Sequence, residues 1–503
     1  MRRAIFSSIF LAALAWAQLR SLSARLELST PARMPARVYL FKDGRPFRLS
    51  PVDAMLPLRV DSFYRERIWR RSSDPATLEV TCNDISHFFL LKGQAGFDLP
   101  AGKYRVEAYR GHFYKPAVEE FELKAGETRP VLLKLENWAG DEAKEWVSSD
   151  DHIHLVRDRE DDALFLSWME AEDLSVGNFL QLQRQMDAGW QYGFGPKAEA
   201  RRAGMSIRSG HESRSEFFGH VNLLGGAEMI RPLSVGSMYS NSPETFPYPF
   251  ALFAMGRKVG ATVGYAHFDG SMKHSALLMD VALGSLDFVE VFQFGRLKTE
   301  QWYQLLNAGF RVTGVAGSDF PVALNNWTRE KTWSRWMPLL GPERLMVRVK
   351  PGASAYAAWA SAVRKGDGVV TNGPMLSLRV EGGRAIADAR FYRPLEKTEI
   401  VVNGKVIGSA NGGHVEAAMP ANGPLWAAAR TSASEGIQAH TNPVYLRWDG
   451  TAVEPASRKA LAERWKAEVD YYRSAPLVFP TPEERRLFFD RAENALKKLS
   501  TLE

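Results

Sequence analysis

Short runs in which apolar and polar residues alternate dominate the first part of the chain. Arg37-Val38-Tyr39-Leu40-Phe41, Thr77-Leu78-Glu79-Val80, Tyr104-Arg105-Val106-Glu107-Ala108 and Val131-Leu132-Leu133-Lys134-Leu135 each suit an extended strand with one apolar face. Asp43-Gly44, Pro100-Ala101-Gly102 and Ala125-Gly126-Glu127 separate such runs with turn residues. The spacing predicts a small β-sandwich over residues 18–140. The pattern then changes. Helical stretches at 164–172 and 299–308 alternate with buried-strand runs at 262–266, 288–292 and 311–316. Such alternation predicts an α/β fold over residues 141–375, with a mainly parallel sheet or barrel whose chemistry gathers at the C-terminal ends of its strands. Residues 376–448 return to β character, with Glu399-Ile400-Val401-Val402 running into the turn dipeptide Asn403-Gly404. Residues 449–503 read as a helical tail. There Thr481-Pro482-Glu483-Glu484 forms a capping-box start, and Leu487, Phe488, Ala492, Ala495, Leu496 and Leu499 form a stripe for packing on the body of the protein.

Composition narrows the function classes. At 503 residues the chain is too long for one core, and 45% hydrophobic with 24% charged residues is an ordinary globular balance. The net charge of +6 is small for this length and is not gathered into a basic block, so no nucleic-acid partner is expected. Arg2 and Arg3, the apolar stretch 5–14, and Ala15-Trp16-Ala17 before Gln18 read as a signal peptide at 1–17. They predict an exported, periplasmic or secreted protein. No later segment is long and apolar enough to span a bilayer. The single cysteine, Cys82, excludes an intramolecular disulfide.

The candidate chemistry begins at Ser149-Asp150-Asp151-His152-Ile153-His154. On a strand, residues two apart share a face, so His152 and His154 project together and can share one metal ion. Six histidines fall in the α/β segment: His152, His154, His211, His220, His267 and His274. Several sit at apparent strand ends beside glycine, in Gly210-His211-Glu212, Gly219-His220-Val221-Asn222 and Gly264-Tyr265-Ala266-His267, with Gly317-Ser318-Asp319 placed likewise. That is the placement expected of ligands presented from one barrel mouth. The bland alternative makes His220 and His267 hydrogen-bonded core residues, and His211 and His274 read as supporting or surface groups. Arg214, Glu216 and Lys273 are substrate contacts or solvated charges. Asp269 is a candidate substitute ligand. Trp327, Trp333 and Trp336, with Arg329 and Arg335, line a cleft or simply pack.

This ordered set resembles the PHP superfamily of metal-dependent hydrolases, and more narrowly its CehA/McbA branch. Phe288-Val289-Glu290-Val291, Thr371-Asn372-Gly373-Pro374 and Ala439-His440-Thr441-Asn442-Pro443 extend the match to residues 141–447. The stretch Phe97-Asp98-Leu99-Pro100-Ala101-Gly102-Lys103-Tyr104 resembles the carboxypeptidase regulatory-like β-sandwich, an accessory module. The resemblance implies a PHP-type distorted (β/α) barrel flanked by β-sandwich-like modules. It implies metal ligands at His152, His154, Glu212, His220, His267 and Asp319. Two departures stand out. The stretch 176–183 lacks the family's acid and histidine, and Pro321 stands where the family has a further histidine. His152, His154, Glu212 and Asp319 are implied to hold one well-formed ion, and Glu212 with His220 and His267 a weaker second. Zinc, manganese and iron all suit such a mixed set. The implied activity is hydrolysis of an ester-type bond (phosphoester, carboxylic or carbamate ester) in a small molecule or polymer, with Asp319 and His220 managing protons. The alternative is a catalytically degenerate member that binds a cell-surface polymer or serves as a scaffold.

Overall fold

The computed structural model describes residues 23–49, 55–57, 68–71, 79–82, 86–182, 189–238, 240, 243–268, 272–320, 340–350, 352–423 and 425–501. The segment at 1–17, Thr77 and Leu78, Asp269, Pro321, and the cluster Trp327, Arg329, Trp333, Arg335 and Trp336 lie outside the described residues. The chain forms two compact units, one built from residues up to 58, 66–138 and 163–173, the other from 139–162 and 174–503 together with 59–65.

Among its described residues the first unit is β-rich, with one α-helix and a short 3-10 turn at Pro31–Arg33. Ser23–Ser29 pairs antiparallel with Gln94–Pro100 and parallel with Thr128–Leu132. A larger antiparallel sheet runs from Ala117–Leu123 through Gly102–Tyr109 and Pro35–Lys42 to Ser86–Lys92 and beyond. The alternating residues Leu26, Val38, Leu40, Phe89, Val106 and Val131 close one core between these strands. The helix Asp162–Ala171 is buried on most sides. From Ala163 onward it clusters with this unit, Trp168 meeting Phe88 with ring centroids 5.7 Å apart. Just past it, Glu172 accepts a 2.7 Å ion pair from the buried Arg37.

The second unit is mixed α/β. Its strands are β1 (Trp146–Ile153), β2 (Val176–Gln181), β3 (Met205–Ser215), β4 (Gly219–Leu224), β5 (Thr262–Tyr265), β6 (Phe288–Gln293), β7 (Thr313–Ala316), β8 (Arg344–Arg348) and β9 (Val369–Thr371). Pairing runs parallel from β1 to β2 to β3, antiparallel to β4 and to β5, then parallel to β6 and β7. Beyond β7 a parallel bridge between Ile153 and Phe320 returns the chain to β1. At that seam the His154 N–H donates to the Phe320 carbonyl at 2.7 Å, and the Phe320 N–H to the His152 carbonyl at 3.3 Å. β8 pairs antiparallel with the first half of β1 and with β9. The strand runs are buried on both faces, which is why β2, β4, β5, β6 and β7 read as near-continuous apolar segments rather than alternating ones.

Helices α1 (Pro249–Lys258), α2 (Leu277–Ala282), α3 (Thr299–Asn307) and α4 (Ala355–Lys365) pack their apolar residues against these strands. α4 starts where the Ser354 side chain accepts from the Ala357 N–H and stops at Gly366, whose φ of +75° no larger residue adopts cheaply. The later β region continues from β9, which pairs with Ile437–Thr441, and a separate three-stranded sheet covers Met375–Glu381, Arg384–Arg390 and His414–Ala418. The chain ends in α5 (Pro455–Ser474) and α6 (Pro482–Ser500). Thr481 caps α6, its hydroxyl accepting from Glu484 N–H at 3.2 Å. Phe488, Ala492, Ala495 and Leu499 of α6 are buried as the sequence pattern predicts, but Leu487 is 47% exposed. It sits one position off the buried stripe, where a 100° step per residue carries it to the solvent side. Among the described residues no helix is long and apolar enough to cross a membrane.

Candidate metal centre

The strand ends of the second unit bring six side chains together. β1 ends at Ile153, so His152 is its penultimate residue and His154 follows directly. Their Nε2 atoms lie 3.0 Å apart. Glu212, in the second half of β3, places Oε2 at 3.7 Å from His152 Nε2 and 3.3 Å from His154 Nε2. Asp319, just past β7, places Oδ1 at 3.6 and 3.3 Å from the same two nitrogens. All four residues are buried. An ion held tetrahedrally at typical zinc–nitrogen and zinc–oxygen lengths keeps its donor atoms roughly 3.3 to 3.6 Å apart. The two nitrogens and the oxygens beside them therefore already stand at spacings close to those such an ion requires.

The outer ring nitrogens strengthen that fit. His152 Nδ1 lies 3.1 Å from Glu290 Oε1, and His154 Nδ1 2.9 Å from the Leu180 carbonyl. Each imidazole thus donates its Nδ1–H outward, leaving an Nε2 lone pair facing inward, as metal-bound histidines do. At 3.0 Å the two inward nitrogens need a positive centre between them, which a proton on one ring or a bound cation supplies. Burial presses hardest on His152, in the direction of losing its proton, yet Glu290, Asp319 and Glu212 together raise its pKa well above the ordinary value. Burial likewise opposes charge on Asp319 and Glu212, but the surrounding imidazoles hold both carboxyls below their usual range. The pocket is built for positive charge at its centre.

The second group is looser. Glu212 Oε1 lies 2.9 Å from His220 Nδ1 and 3.5 Å from His267 Nε2, and has no hydrogen-bond partner although it is buried. His267 Nδ1 is held by Gln293 Oε1 at 2.7 Å. His220, at the start of β4, has its pKa lowered chiefly by burial, partly offset by Glu212, and is neutral. His152, Glu212 and His267 form a second convergent triad beside His152, His154 and Asp319. Two of these positions lie in the left-handed backbone region, His267 at φ +56° and Asp319 at φ +50°. Non-glycine residues pay about 1 to 3 kcal/mol there, and such strain collects at functional sites.

All six residues implied as ligands converge, Arg214 lies opposite His220 on the neighbouring strand, and among the described candidates His211, His274, Glu216 and Lys273 do not join them. His211 is buried on the same strand as Glu212 but sits near Phe194, and burial lowers its pKa to about 3. His274 pairs with Glu468 at 3.1 Å and stacks on Tyr471. Glu216 accepts the backbone N–H groups of Ser237 and Met238, which makes it a loop clasp. Lys273 is exposed. The stretch that lacks acid and histidine forms β2, and it supplies the Leu180 carbonyl that orients His154.

Sequence reading left three contributors unassigned. Glu290 holds His152, Gln293 holds His267, and Asp150 accepts from the backbone N–H groups of His152, Ser318 and Gly341 at 3.1, 2.9 and 2.8 Å. Asp150 thereby ties β1 to the loop carrying Asp319. Burial lifts its pKa to about 6 despite these bonds. Glu290 did leave a signal, a lone carboxylate in the apolar run Phe288-Val289-Glu290-Val291-Phe292.

No family model and no curated protein matches the chain. Two solved structures resemble part of it. One is Endonuclease Q in complex with a 27-mer duplex carrying an abasic lesion at the active site, with TM-score 0.29, 12% identity, and coverage of 44% of this chain and 57% of that one. The other is the lesion-specific endonuclease of Pyrococcus furiosus, with TM-score 0.28, 12% identity, and coverage of 44% and 56%. The chain thus spans a little over half the length of the endonucleases it resembles.

Proposed function

We propose that this chain is an exported metal-dependent hydrolase of the PHP type, akin to the CehA/McbA branch, acting on an ester-type bond. Residues 141–375 carry the chemistry, 18–140 and 376–448 are accessory β modules, and 449–503 is a helical tail. The observation that supports this most is the buried pair of imidazole nitrogens, 3.0 Å apart, each with a Glu212 and an Asp319 carboxylate oxygen at 3.3 to 3.7 Å. A divalent ion bound there would lower the pKa of water and polarise the oxygen of an ester. The protein's own part is positioning and proton management. His152 and His154 present neutral donor nitrogens, and Glu212 and Asp319 supply balancing charge. His220, kept neutral by burial, is suited to accept a proton at working pH. The export assignment rests on the residue pattern at 1–17.

The test is elemental mass spectrometry of protein purified without added metal or chelator, followed by an ester and phosphoester screen with the ion found. About one zinc, manganese or iron per chain with ester turnover supports the proposal. No ion, and none restorable, hands the reading to a polymer-binding scaffold. Cleavage of a lesion-bearing duplex in place of small esters would replace the substrate assignment with nucleic acid.

A further inference from the structure

We infer that Glu290 is a positioning residue that selects the tautomer of His152 and fixes the turn carrying His267. The inference rests on the metal-site reading above. His152 Nδ1 has three polar neighbours from three side chains: Glu290 Oε1 at 3.1 Å, Asn222 Nδ2 at 3.4 Å and Gln293 Nε2 at 3.5 Å. They make opposite demands. A carboxylate oxygen accepts, so it calls for a proton on Nδ1 and leaves Nε2 as a lone pair. An amide NH2 donates, so it calls for a lone pair on Nδ1 and puts the proton on Nε2, aimed at His154 and Asp319. Glu290 is both nearer and charged, and charge-assisted bonds are about twice as strong as neutral ones. Its presence decides for the metal-competent form.

The second oxygen has a separate task. Glu290 Oε2 accepts the backbone N–H of His267 at 2.7 Å, at the residue whose φ is +56°. One carboxylate thus holds a side chain on β1, with Oε1 at 3.1 Å and Oε2 at 3.3 Å from His152 Nδ1, and through Oε2 a left-handed turn after β5. A glutamine has the same shape but a single neutral acceptor, which the two N–H groups would have to share, and an NH2 that would compete for His152 Nδ1. The carboxylate is also sterically fitted, because Gly317 leaves room for it. A Cβ at Gly317 would stand 2.6 Å from Glu290 Oε1 and 2.6 Å from His152 Cβ.

Binding of cobalt(II) to the full chain, followed by visible absorption, separates the cases. E290Q should weaken cobalt affinity about 10- to 100-fold and change the absorption band. E290D, which keeps two acceptors, should recover most of the affinity. The chelator-treated E290Q protein should melt close to the chelator-treated parent, because the substitution preserves volume. If the parent binds cobalt, H152A/H154A does not, and E290Q binds within twofold of the parent with the same band, the inference is overturned while the metal site stands. If the parent itself binds none, the metal-site reading fails first. If E290Q and E290D both lose binding and both melt far below the parent without metal, the role is general stability and the positioning assignment is wrong.

Discussion

His440 and His152 are both fully buried imidazoles in the same unit. Their surroundings differ in kind. His440 Nε2 meets the Tyr303 hydroxyl at 2.5 Å and its Nδ1 meets the Thr441 carbonyl at 2.7 Å, so neutral partners satisfy both nitrogens. Burial then lowers its pKa to about 4, and the ring is a neutral packing element beside Trp302. His152 has one nitrogen beside Glu290 and the other turned toward His154 Nε2 at 3.0 Å and the carboxylates of Glu212 and Asp319. Burial is common to the two. What separates a ligand from a core histidine is whether its spare nitrogen converges with other lone pairs.

The largest test of this contrast is the double change H152A/H154A, set against H440Q. The first should reduce metal per chain to background by elemental analysis, since it removes two of four donors. The second should leave metal content unchanged. Equal metal loss in both would erase the distinction.

G317A comes next. The added methyl meets Glu290, His152 Cβ and the His152 backbone nitrogen at 2.6, 2.6 and 2.9 Å. Overpacking of this kind costs about 1 to 3 kcal/mol, read from urea midpoints, and it should weaken metal binding as well. An equivalent methyl at half-buried Gly412, with nothing within 4 Å of its Cβ position but φ at +88°, should leave metal content intact.

The pH dependence is gentler. Burial pushes His267 down, but Glu212, Asp319 and Glu290 outweigh it and raise its pKa to about 9. The unfolded value lies near 6.5. Between those values the folded metal-free protein holds a proton that the unfolded chain has released, so stability falls as pH rises from about 6.5 to 9. His440, with its pKa lowered, contributes nothing in that window. With metal bound, the ion replaces the proton and the slope should flatten. Thermal melts across this range, with and without chelator, read the difference; a metal-free protein as stable at pH 9 as at pH 6.5 would contradict it. Smallest of all, H211Q should leave metal content near the parental value, because His211 sits near Phe194 and contributes no atom to either triad.

Much of this site was legible along the chain, for a geometric reason. The strand period of two makes His-x-His a statement about a shared face, and His267 and Asp319 fall just past strand ends as their patterns predict, whereas Glu212 lies within β3 and His220 at the start of β4. The helix at 299–307 and the strands at 262–265 and 288–293 matched their apolar patterns closely. What the pattern hid depends on distant partners. β3, which carries Glu212, reads Met-Ser-Ile-Arg-Ser-Gly-His-Glu-Ser-Arg-Ser and has no clean alternation because it is buried on both faces. Asp150 shares the parity of His152 and His154, but its oxygens accept from backbone groups of Ser318 and Gly341, far along the chain. The groups that orient His154 and His267, a main-chain carbonyl and a glutamine, carry no sequence signature for that task.

The seam between Ile153 and Phe320 gives the site a mechanical meaning. His152 and His154 lie on one side of it and Asp319 on the other, so the donors flank the place where the strand ring shuts. An ion bound there would work as a latch across a long loop, much as a covalent cross-link would, and the entropy it would remove from the open chain grows with the logarithm of loop length. The unfolded polypeptide keeps only the local histidine pair together, so nearly all of the binding free energy accrues to the shut ring. At an ion concentration about 100 times the dissociation constant, that linkage is worth about 2.7 kcal/mol.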